Sequence, residues 1–313
     1  MNKKKAGWLM FSIIVFHIVA IAILKVIFKS NDNLPVSLSL LFGELIIGIP
    51  TVIFLIAVCR ETGESPTQVM GFHKIKATTA LLMIGLGLSV IPLATFINLL
   101  SMLITKNVVV ESASEVLDYP VYMVILVAGI AGPIVEEAAC RGMIFSGMRK
   151  EMSAILAVIM SAFVFGLFHM NLNQFTYAFA IGIFLALAVE ATGSIWASFI
   201  VHMTINTQQM LKMVIANKIM PDIYSSSLVT DIDDQTLLMA AGVYLVMAGV
   251  CTCAAIGILI LAANLQGRLG ALKSLTISPG NTRFKDALTL PFIIGTILAI
   301  AFIIVYETLM GGA

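Results

Sequence analysis

Long apolar runs constrain the fold of this chain more than any other feature. A run of about 17 residues or more can cross the hydrocarbon core of a bilayer as a helix. Such runs are found at residues 7–29, 36–59, 78–104, 119–148, 152–170, 175–191, 194–216, 237–265 and 289–309. Because spanning helices satisfy their own backbone polar groups, we predict an all-α, polytopic transmembrane helical bundle of about eight or nine spans.

The composition also indicates a membrane protein. Hydrophobic residues make up 60% of the 313 residues and charged residues only 11%, whereas soluble domains carry about 25% charged residues. The formal net charge of +1 argues against nucleic acid as a partner. We therefore expect a single membrane domain over residues 1–313, with membrane lipids as its partners.

The distribution of basic residues predicts an orientation. When the connections are assigned alternately to two sides, the side that holds the N-terminus also holds most of the Lys and Arg residues. Its basic residues are Lys3, Lys4, Lys5, Arg60, Lys74, Lys76, Arg149, Lys150, Arg268, Lys273, Arg283 and Lys285. The positive-inside rule then predicts a multi-pass protein of the cell membrane with a cytoplasmic N-terminus.

The fourth apolar run contains three ionisable residues, Glu136, Glu137 and Arg141. A charge at the centre of an inserting helix costs about 2.5–3.5 kcal/mol. Glu137 and Arg141 are four residues apart and share one helix face, while Glu136 is rotated by about 100° and is free to face a wet cavity. The alternative is a structural ion pair with no chemistry. The preceding Gly132-Pro133 predicts a kink or a break at membrane depth.

Two further runs contain histidine. Phe165 and His169 are four residues apart in the fifth run, and His202 and Asn206 are four apart in the seventh. His202 and Asn206 can both donate hydrogen bonds to a developing negative charge, as an oxyanion hole requires. The structural alternatives are a hydrogen-bonded core histidine at His169 and polar contacts between helices at His202 and Asn206.

Three short motifs, each with two residues four positions apart, resemble a known family. They are Glu136-Glu137-x-x-x-Arg141-Gly142, Phe165-x-x-x-His169 and His202-x-x-x-Asn206. They are similar to the signature motifs of the CAAX-protease and bacteriocin-processing (CPBP) family of intramembrane endopeptidases, also called Abi, which includes the type II CAAX prenyl endopeptidase. The resemblance covers residues 119–210, which we interpret as the catalytic core.

The resemblance implies a helical bundle around a conical catalytic cavity inside the membrane. By position in the motifs, it assigns water activation to Glu136, with assistance from His169, and oxyanion binding to His202 and Asn206. It also assigns supporting roles to Glu137, Arg141 and Phe165. Peptide hydrolysis without a covalent intermediate needs a base for water, an oxyanion stabiliser and a proton for the leaving amine, and these residues can supply all three.

Metal dependence is open at the level of sequence. Glu136, His169 and His202 match the ligand types of thermolysin-like zinc sites, so a metalloprotease with zinc is the alternative. The chain has no His-Glu-x-x-His helix, and a ligating Glu136 would leave the water without an obvious base. We therefore favour a mechanism without a cofactor.

Two functions of other classes compete with the protease. They are a non-catalytic membrane scaffold that binds apolar peptides and a transporter, since broken helices and buried charges also mark transporters. For the protease we expect a membrane-associated or lipidated peptide as the substrate. Bacteriocin maturation, self-immunity and the processing of peptide signals are the roles that the resemblance allows.

Overall fold

Nine long helices form the bundle in the part of the chain that the structure describes. The computed structural model describes residues 1–27, 36–221, 223–225, 232–276 and 288–310, and these ranges contain no strand. The long helices are α1 (Lys3–Ile27), α2 (Val36–Thr62), α3 (Ala77–Ser101), α4 (Val121–Arg149), α5 (Ala154–Phe168), α6 (Leu172–Thr192), α7 (Ile195–Ile219), α8 (Asp234–Leu265) and α9 (Leu290–Met310).

Short helices connect the long ones. They are Pro66–Met70, Val108–Glu111, Ala113–Leu117 and Leu269–Thr276, with a 3₁₀ turn at Ile223–Ser225. Residues 277–287, which follow Leu269–Thr276, lie outside the described residues. Residues 28–29 of the first predicted span do so as well.

Seven of the nine long helices are both long and apolar enough to cross a membrane. The other two, α5 and α7, do not meet both conditions. α5 has 15 residues, so at 1.5 Å per residue it spans roughly 22 Å, less than a hydrocarbon core of about 30 Å. α7 is long enough, but it carries polar residues along much of its length. The polytopic helical bundle predicted from the sequence is confirmed, while the number of spans stays a prediction.

α4 continues through Pro133, contrary to the predicted break. Its winding changes instead: π-helical segments at Ile125–Ala131 and Ala138–Phe145 flank an α-helical turn at Gly132–Glu137. Pro133 stands at the start of that turn and has no N–H to donate to the preceding turn of the helix. π-Helical turns are rare, and they are frequent at functional sites.

The helices alternate between two ends of the bundle. At the end that holds the N-terminus, Lys5 pairs with Glu61. At the same end, Arg149 at the end of α4 forms two hydrogen bonds of 3.0 and 3.1 Å with Glu190 at the end of α6. At the opposite end, Glu307 of α9 accepts hydrogen bonds from the Thr105 hydroxyl and from the backbone of α6. The alternation agrees with the connections on which the predicted orientation rests.

Small residues bring the helices that carry the site close together. A Cβ atom on Gly182 of α6 would lie 2.9 Å from the Cα atom of Ala162 of α5. A Cβ atom on Gly87 of α3 would lie 2.9 Å from the carbonyl oxygen of Val201 of α7. Close backbone approach at small residues is the usual basis of helix packing in membranes, and here it packs α6 on α5 and α7 on α3.

Candidate active site

Glu137 and Arg141 form a fully buried ion pair inside the bundle. Nη1 of Arg141 donates to Oε1 of Glu137 at 2.8 Å, and both side chains have no exposed surface. Nη2 of Arg141 donates to the carbonyl oxygen of Gly182 at 2.9 Å. The guanidinium also lies over the ring of Phe165, 4.5 Å from its centroid, where a cation is attracted by the face of the ring. The ion pair predicted from the sequence is present, and Arg141 links α4 to α5 through Phe165 and to α6 through Gly182.

His202 of α7 lies between the two glutamates. Its Nδ1 is 3.1 Å from Oε1 of Glu137, and its Nε2 is 3.7 Å from Oε2 of Glu136. The side chain of Glu136 retains 17% of its exposure, whereas that of Glu137 retains none. Glu137 is therefore enclosed by Arg141 and His202, and Glu136 is the carboxyl with access to a bound molecule.

The contact between Glu137 and His202 determines what the imidazole can donate. A carboxylate only accepts hydrogen bonds, so the ring proton at Nδ1 is directed at Glu137. A neutral ring then has a lone pair at Nε2, and an N–H at Nε2 requires the imidazolium form. In that form, the positive charges of Arg141 and His202 balance the negative charges of Glu136 and Glu137.

His169 lies at the end of α5, and its ring is held by its own helix. Nδ1 lies 2.9 Å from the carbonyl oxygen of Phe165, and because a carbonyl only accepts, Nδ1 carries a hydrogen and Nε2 is the open nitrogen. Its backbone oxygen accepts a 2.8 Å hydrogen bond from Asn171. The next residue, Met170, has a positive φ of 55°, an uncommon conformation for a non-glycine residue.

The ring of Phe165 links the two histidines. Its centroid is 5.1 Å from that of His169 and 5.3 Å from that of His202, both in edge-to-face geometry. Such contacts contribute about 0.5–1.5 kcal/mol beyond burial between aromatic rings. Phe165 thus sets the orientation of both imidazole rings while its face contacts Arg141.

Asn206 is bound to the first π-helical segment of α4. Its Nδ2 donates to the carbonyl oxygen of Ala128 at 3.1 Å, and the neighbouring Thr207 donates to the carbonyl oxygen of Gly129 at 3.3 Å. An amide nitrogen has two hydrogens, so one remains for a ligand. The wide turns of the π-helical segment leave room for both side chains of α7 to reach its backbone.

The structure brings together most of the residues that the sequence singles out. Six of them form one contact network from α4, α5 and α7, and Asn206 lies one turn further along α7. The six are Glu136, Glu137, Arg141, Phe165, His169 and His202. The sequence predicts the ion pair and the pairing of His202 with Asn206, but it does not predict the contact between Glu137 and His202.

Sequence reasoning missed three groups around this network. Glu44 of α2 lies near Glu136 and interacts with it electrostatically. Tyr177 of α6 also lies near Glu136, and His17 of α1 lies near His169. A signal for Glu44 was available, because any ionisable residue inside an apolar span is a candidate functional residue.

A metal ion does not fit the side chains as they are arranged. Among the described residues, no group of three or more His, Cys, Asp or Glu side chains could hold one. Glu136, His169 and His202 are all described, and Nδ1 of His169 is bonded to a carbonyl oxygen. The zinc alternative stays a prediction.

An apolar groove of about 980 Å³ lies on another face of α7. Its lining comes from α3, α4 and α7 and includes Ile130, Ile200, Thr207 and Lys212. Glu136, His169 and His202 are not among the lining residues. This groove is therefore not the predicted catalytic cavity, which stays a prediction.

Comparisons with known proteins link this region to membrane peptidases. Residues 119–208 match the family model described as Type II CAAX prenyl endopeptidase Rce1-like. A curated protein named "Putative membrane peptidase YdiL", from Bacillus subtilis (strain 168), is 30% identical over 99 residues, which cover 31% of this chain and 41% of that protein. The chain thus matches about two fifths of the length of this relative. No solved structure matches the chain.

The comparisons confirm the resemblance that the three motifs predict, over residues 119–208. Together with the seven apolar helices, they define the chain as an integral membrane protein whose central helices resemble those of the type II CAAX prenyl endopeptidases. The division into one membrane domain with a core at residues 119–210 stays a prediction.

Proposed function

We propose that this protein is an intramembrane endopeptidase in which Glu136 activates water for attack on a peptide bond. One observation carries the proposal: Oε2 of Glu136 lies 3.7 Å from Nε2 of His202, whose other nitrogen is held by the buried Glu137–Arg141 pair. A partly exposed carboxylate and an oriented imidazole, both enclosed by helices, are the base and the electrophile that such a reaction needs.

The comparisons support the same class of activity. The matched family model is that of an endopeptidase. The matched segment of this chain, residues 119–208, contains all seven site residues that the sequence predicts. The curated relative carries the name of a membrane peptidase. We extend the activity to the whole chain on this basis, with the proposal that α1–α3, α8 and α9 enclose the catalytic helices.

In the first chemical step, Glu136 acts as a base and accepts a proton. The Glu136 carboxylate takes a proton from water while the water oxygen bonds to the carbonyl carbon of the substrate. The electron pair of the C=O double bond moves to oxygen and forms an oxyanion. His202, as imidazolium, donates from Nε2 to this oxyanion, and the second amide hydrogen of Asn206 is the other donor.

The second step breaks the C–N bond. The proton held by Glu136 passes to the leaving nitrogen, the oxyanion collapses to the carboxylic acid, and the amine product leaves. His169 assists with Nε2, because its Nδ1 hydrogen is bound to its own helix. Glu137 and Arg141 do not exchange protons in this scheme, since their role is to hold His202 in its orientation.

The location of the site predicts the class of substrate. Glu136 lies within α4, one of the helices long enough to span a bilayer, so the scissile bond has to enter the membrane region. An extended peptide there cannot satisfy its backbone groups against lipid. We propose that the substrate is a membrane-associated or lipidated peptide, cut beside its hydrophobic anchor, and that soluble folded proteins are poor substrates.

The test is cleavage by the purified protein reconstituted in liposomes. A library of membrane-anchored peptides and a soluble casein-type protein are incubated separately, and the products are identified by mass spectrometry. We expect cuts close to the anchor and little cleavage of the soluble protein. Binding of anchored peptides without any cleavage would favour the scaffold, and efficient cutting of the soluble protein would contradict the proposed substrate class.

A further inference from the structure

Glu44 is an acidic residue of α2, outside the segment that matches the endopeptidase family. Its Oε2 is buried and has no hydrogen-bond partner, and the same is true of Oε2 of Glu136. A buried carboxyl oxygen without a partner is costly. No salt bridge of Glu44 is present among the residues that the structure describes. Glu44 therefore has neither of the usual means by which a buried carboxylate is stabilised.

Two glycines position Glu44 against the catalytic turn of α4. A Cβ atom on Gly132 would lie 2.5 Å from Oε1 of Glu44, so a larger residue there would displace the carboxyl from this position. Gly48, one turn along α2, faces Val135 in the same way at 3.4 Å. Gly132 and Glu136 are four residues apart on one helix face, which places the Glu44 carboxyl beside the turn that carries Glu136.

The charges around the two carboxyls leave Glu44 without a counter-ion. When His202 is an imidazolium, Arg141 and His202 offset Glu136 and Glu137, as described above. The other titratable groups near Glu136 are Tyr177 of α6 and Cys140 of α4, and these are neutral when protonated. Beyond them, His169 has one nitrogen bonded to a carbonyl oxygen, and His17 of α1 lies next to it.

Two neighbouring carboxyl groups in a medium of low dielectric do not both ionise readily. One proton shared between them removes the repulsion and lowers the net charge that the membrane interior has to hold. Glu136 is the partner that His202 stabilises as an anion. The proton therefore belongs on Glu44.

We propose that Glu44 and Glu136 form an electrostatically coupled carboxyl pair that holds one proton in total, with Glu44 as the protonated acid and Glu136 as the ionised base. The catalytic consequence rests on the proposed protease function. When Glu136 takes a proton from water, the pair holds two protons. One of them passes to the leaving nitrogen as the C–N bond breaks, and the pair returns to its singly charged state.

Infrared spectroscopy tests the shared proton without any substrate. A protonated carboxyl and a carboxylate absorb at different frequencies, so the purified protein can be titrated directly. We expect a buried protonated carboxyl in the wild-type protein at neutral pH, its loss in Glu44→Gln, and its retention in Glu307→Gln, which changes a carboxyl of α9 that is bonded to Thr105. Retention of the signal in Glu44→Gln would overturn the proposal.

The pH profile of cleavage tests the catalytic consequence separately. Glutamine resembles a protonated glutamate, so Glu44→Gln should keep kcat/KM within about tenfold of wild type at the optimum. In Glu44→Gln, the pH at which kcat/KM falls on the alkaline side (the alkaline limb) should rise by about one unit or more. The reason is that glutamine has no proton to lose beside Glu136. Complete loss of activity in a folded Glu44→Gln protein would contradict the pair. An unchanged alkaline limb would assign that limb to the His202 imidazolium and would contradict the catalytic consequence.

Glu44→Asp separates the loss of the acid from the loss of packing. It keeps a titratable carboxyl with a side chain shorter by one methylene, so we expect the buried protonated carboxyl and an alkaline limb like that of the wild-type protein. If Glu44→Asp and Glu44→Gln instead shift the profile equally, Glu44 has only a packing role. Should the wild-type protein cleave no peptide, the infrared titration still decides whether the proton is shared.

Discussion

Oε1 of Glu137 accepts a hydrogen bond from Nδ1 of His202 at 3.1 Å and thereby fixes the orientation of the imidazole that faces Glu136. The same oxygen accepts from Arg141 at 2.8 Å. Two adjacent glutamates on one helix thus have different surroundings. Glu137 is enclosed by Arg141 and His202, and Glu136 stays accessible beside the other nitrogen of the ring.

The Glu137–Arg141 pair should be essential for stability as well as activity. Glu137→Gln leaves the Arg141 guanidinium buried without a carboxylate, and removal of one partner of a buried pair costs about 3–5 kcal/mol. We expect a clear fall in the thermal unfolding midpoint of the purified protein in detergent, together with a loss of cleavage.

The control for this prediction is the double variant Glu137→Gln with Arg141→Met. It removes both charges, so part of the lost stability should return, whereas cleavage should not, because His202 still lacks its partner. An unfolding midpoint of Glu137→Gln equal to that of the wild-type protein would show that the pair does not stabilise the bundle.

Asn206 should contribute to the rate through its second amide hydrogen. Loss of one oxyanion donor lowers kcat by about 10²–10³-fold, and we expect this for Asn206→Ala. Thr207→Val is the matched control, because Thr207 bonds the same π-helical segment through Gly129 and has no role in the mechanism. Equal effects of the two variants would mean that Asn206 acts only through its bond to α4.

Metal content distinguishes the two mechanisms that the sequence leaves open. In the mechanism without a cofactor, the active protein contains well under one zinc ion per chain by elemental analysis. Its activity also survives dialysis against a chelator. Stoichiometric zinc, with activity that is lost on chelation and restored by zinc, would replace Glu136 as the base with a metal-bound water.

The proposed orientation places the Arg149–Lys150 turn in the cytoplasm. Lys150→Cys and Lys106→Cys each add one thiol at an exposed position near one end of the bundle. The background lacks Cys59, Cys251 and Cys253 and keeps the buried Cys140. In intact cells, an impermeant thiol reagent should label only the second variant. Labelling of Lys150→Cys alone would show that the Arg149–Lys150 turn lies outside the cell and would contradict the proposed orientation.

Much of the architecture could be predicted from the sequence, because the apolar runs have a fixed relation to membrane thickness. Pairs of residues four positions apart on one helix, such as Glu137 and Arg141, could also be predicted, because helix geometry places them on the same face. The shortness of α5 and the polar character of α7 were not foreseen. A helix surrounded by protein does not have to meet the hydropathy of one that faces lipid.

Contacts between helices could not be obtained in this way. The hydrogen bond from His202 to Glu137 depends on how α7 packs on α4. The hydrogen bonds of Asn206 and Thr207 depend on the π-helical winding of α4, which no pattern of residues predicts. Glu44 was missed for a different reason. It stands alone in its span, whereas the prediction gave weight to polar residues with a partner one helical turn away.

The most direct test of the account is cleavage of a membrane-anchored peptide by wild-type protein and by Glu136→Gln, both purified and shown to be folded. General base catalysis contributes about 10²–10⁴-fold, so Glu136→Gln should lose at least that factor in kcat while its thermal unfolding stays close to that of the wild-type protein. Full activity of folded Glu136→Gln would contradict the assignment of Glu136 as the base.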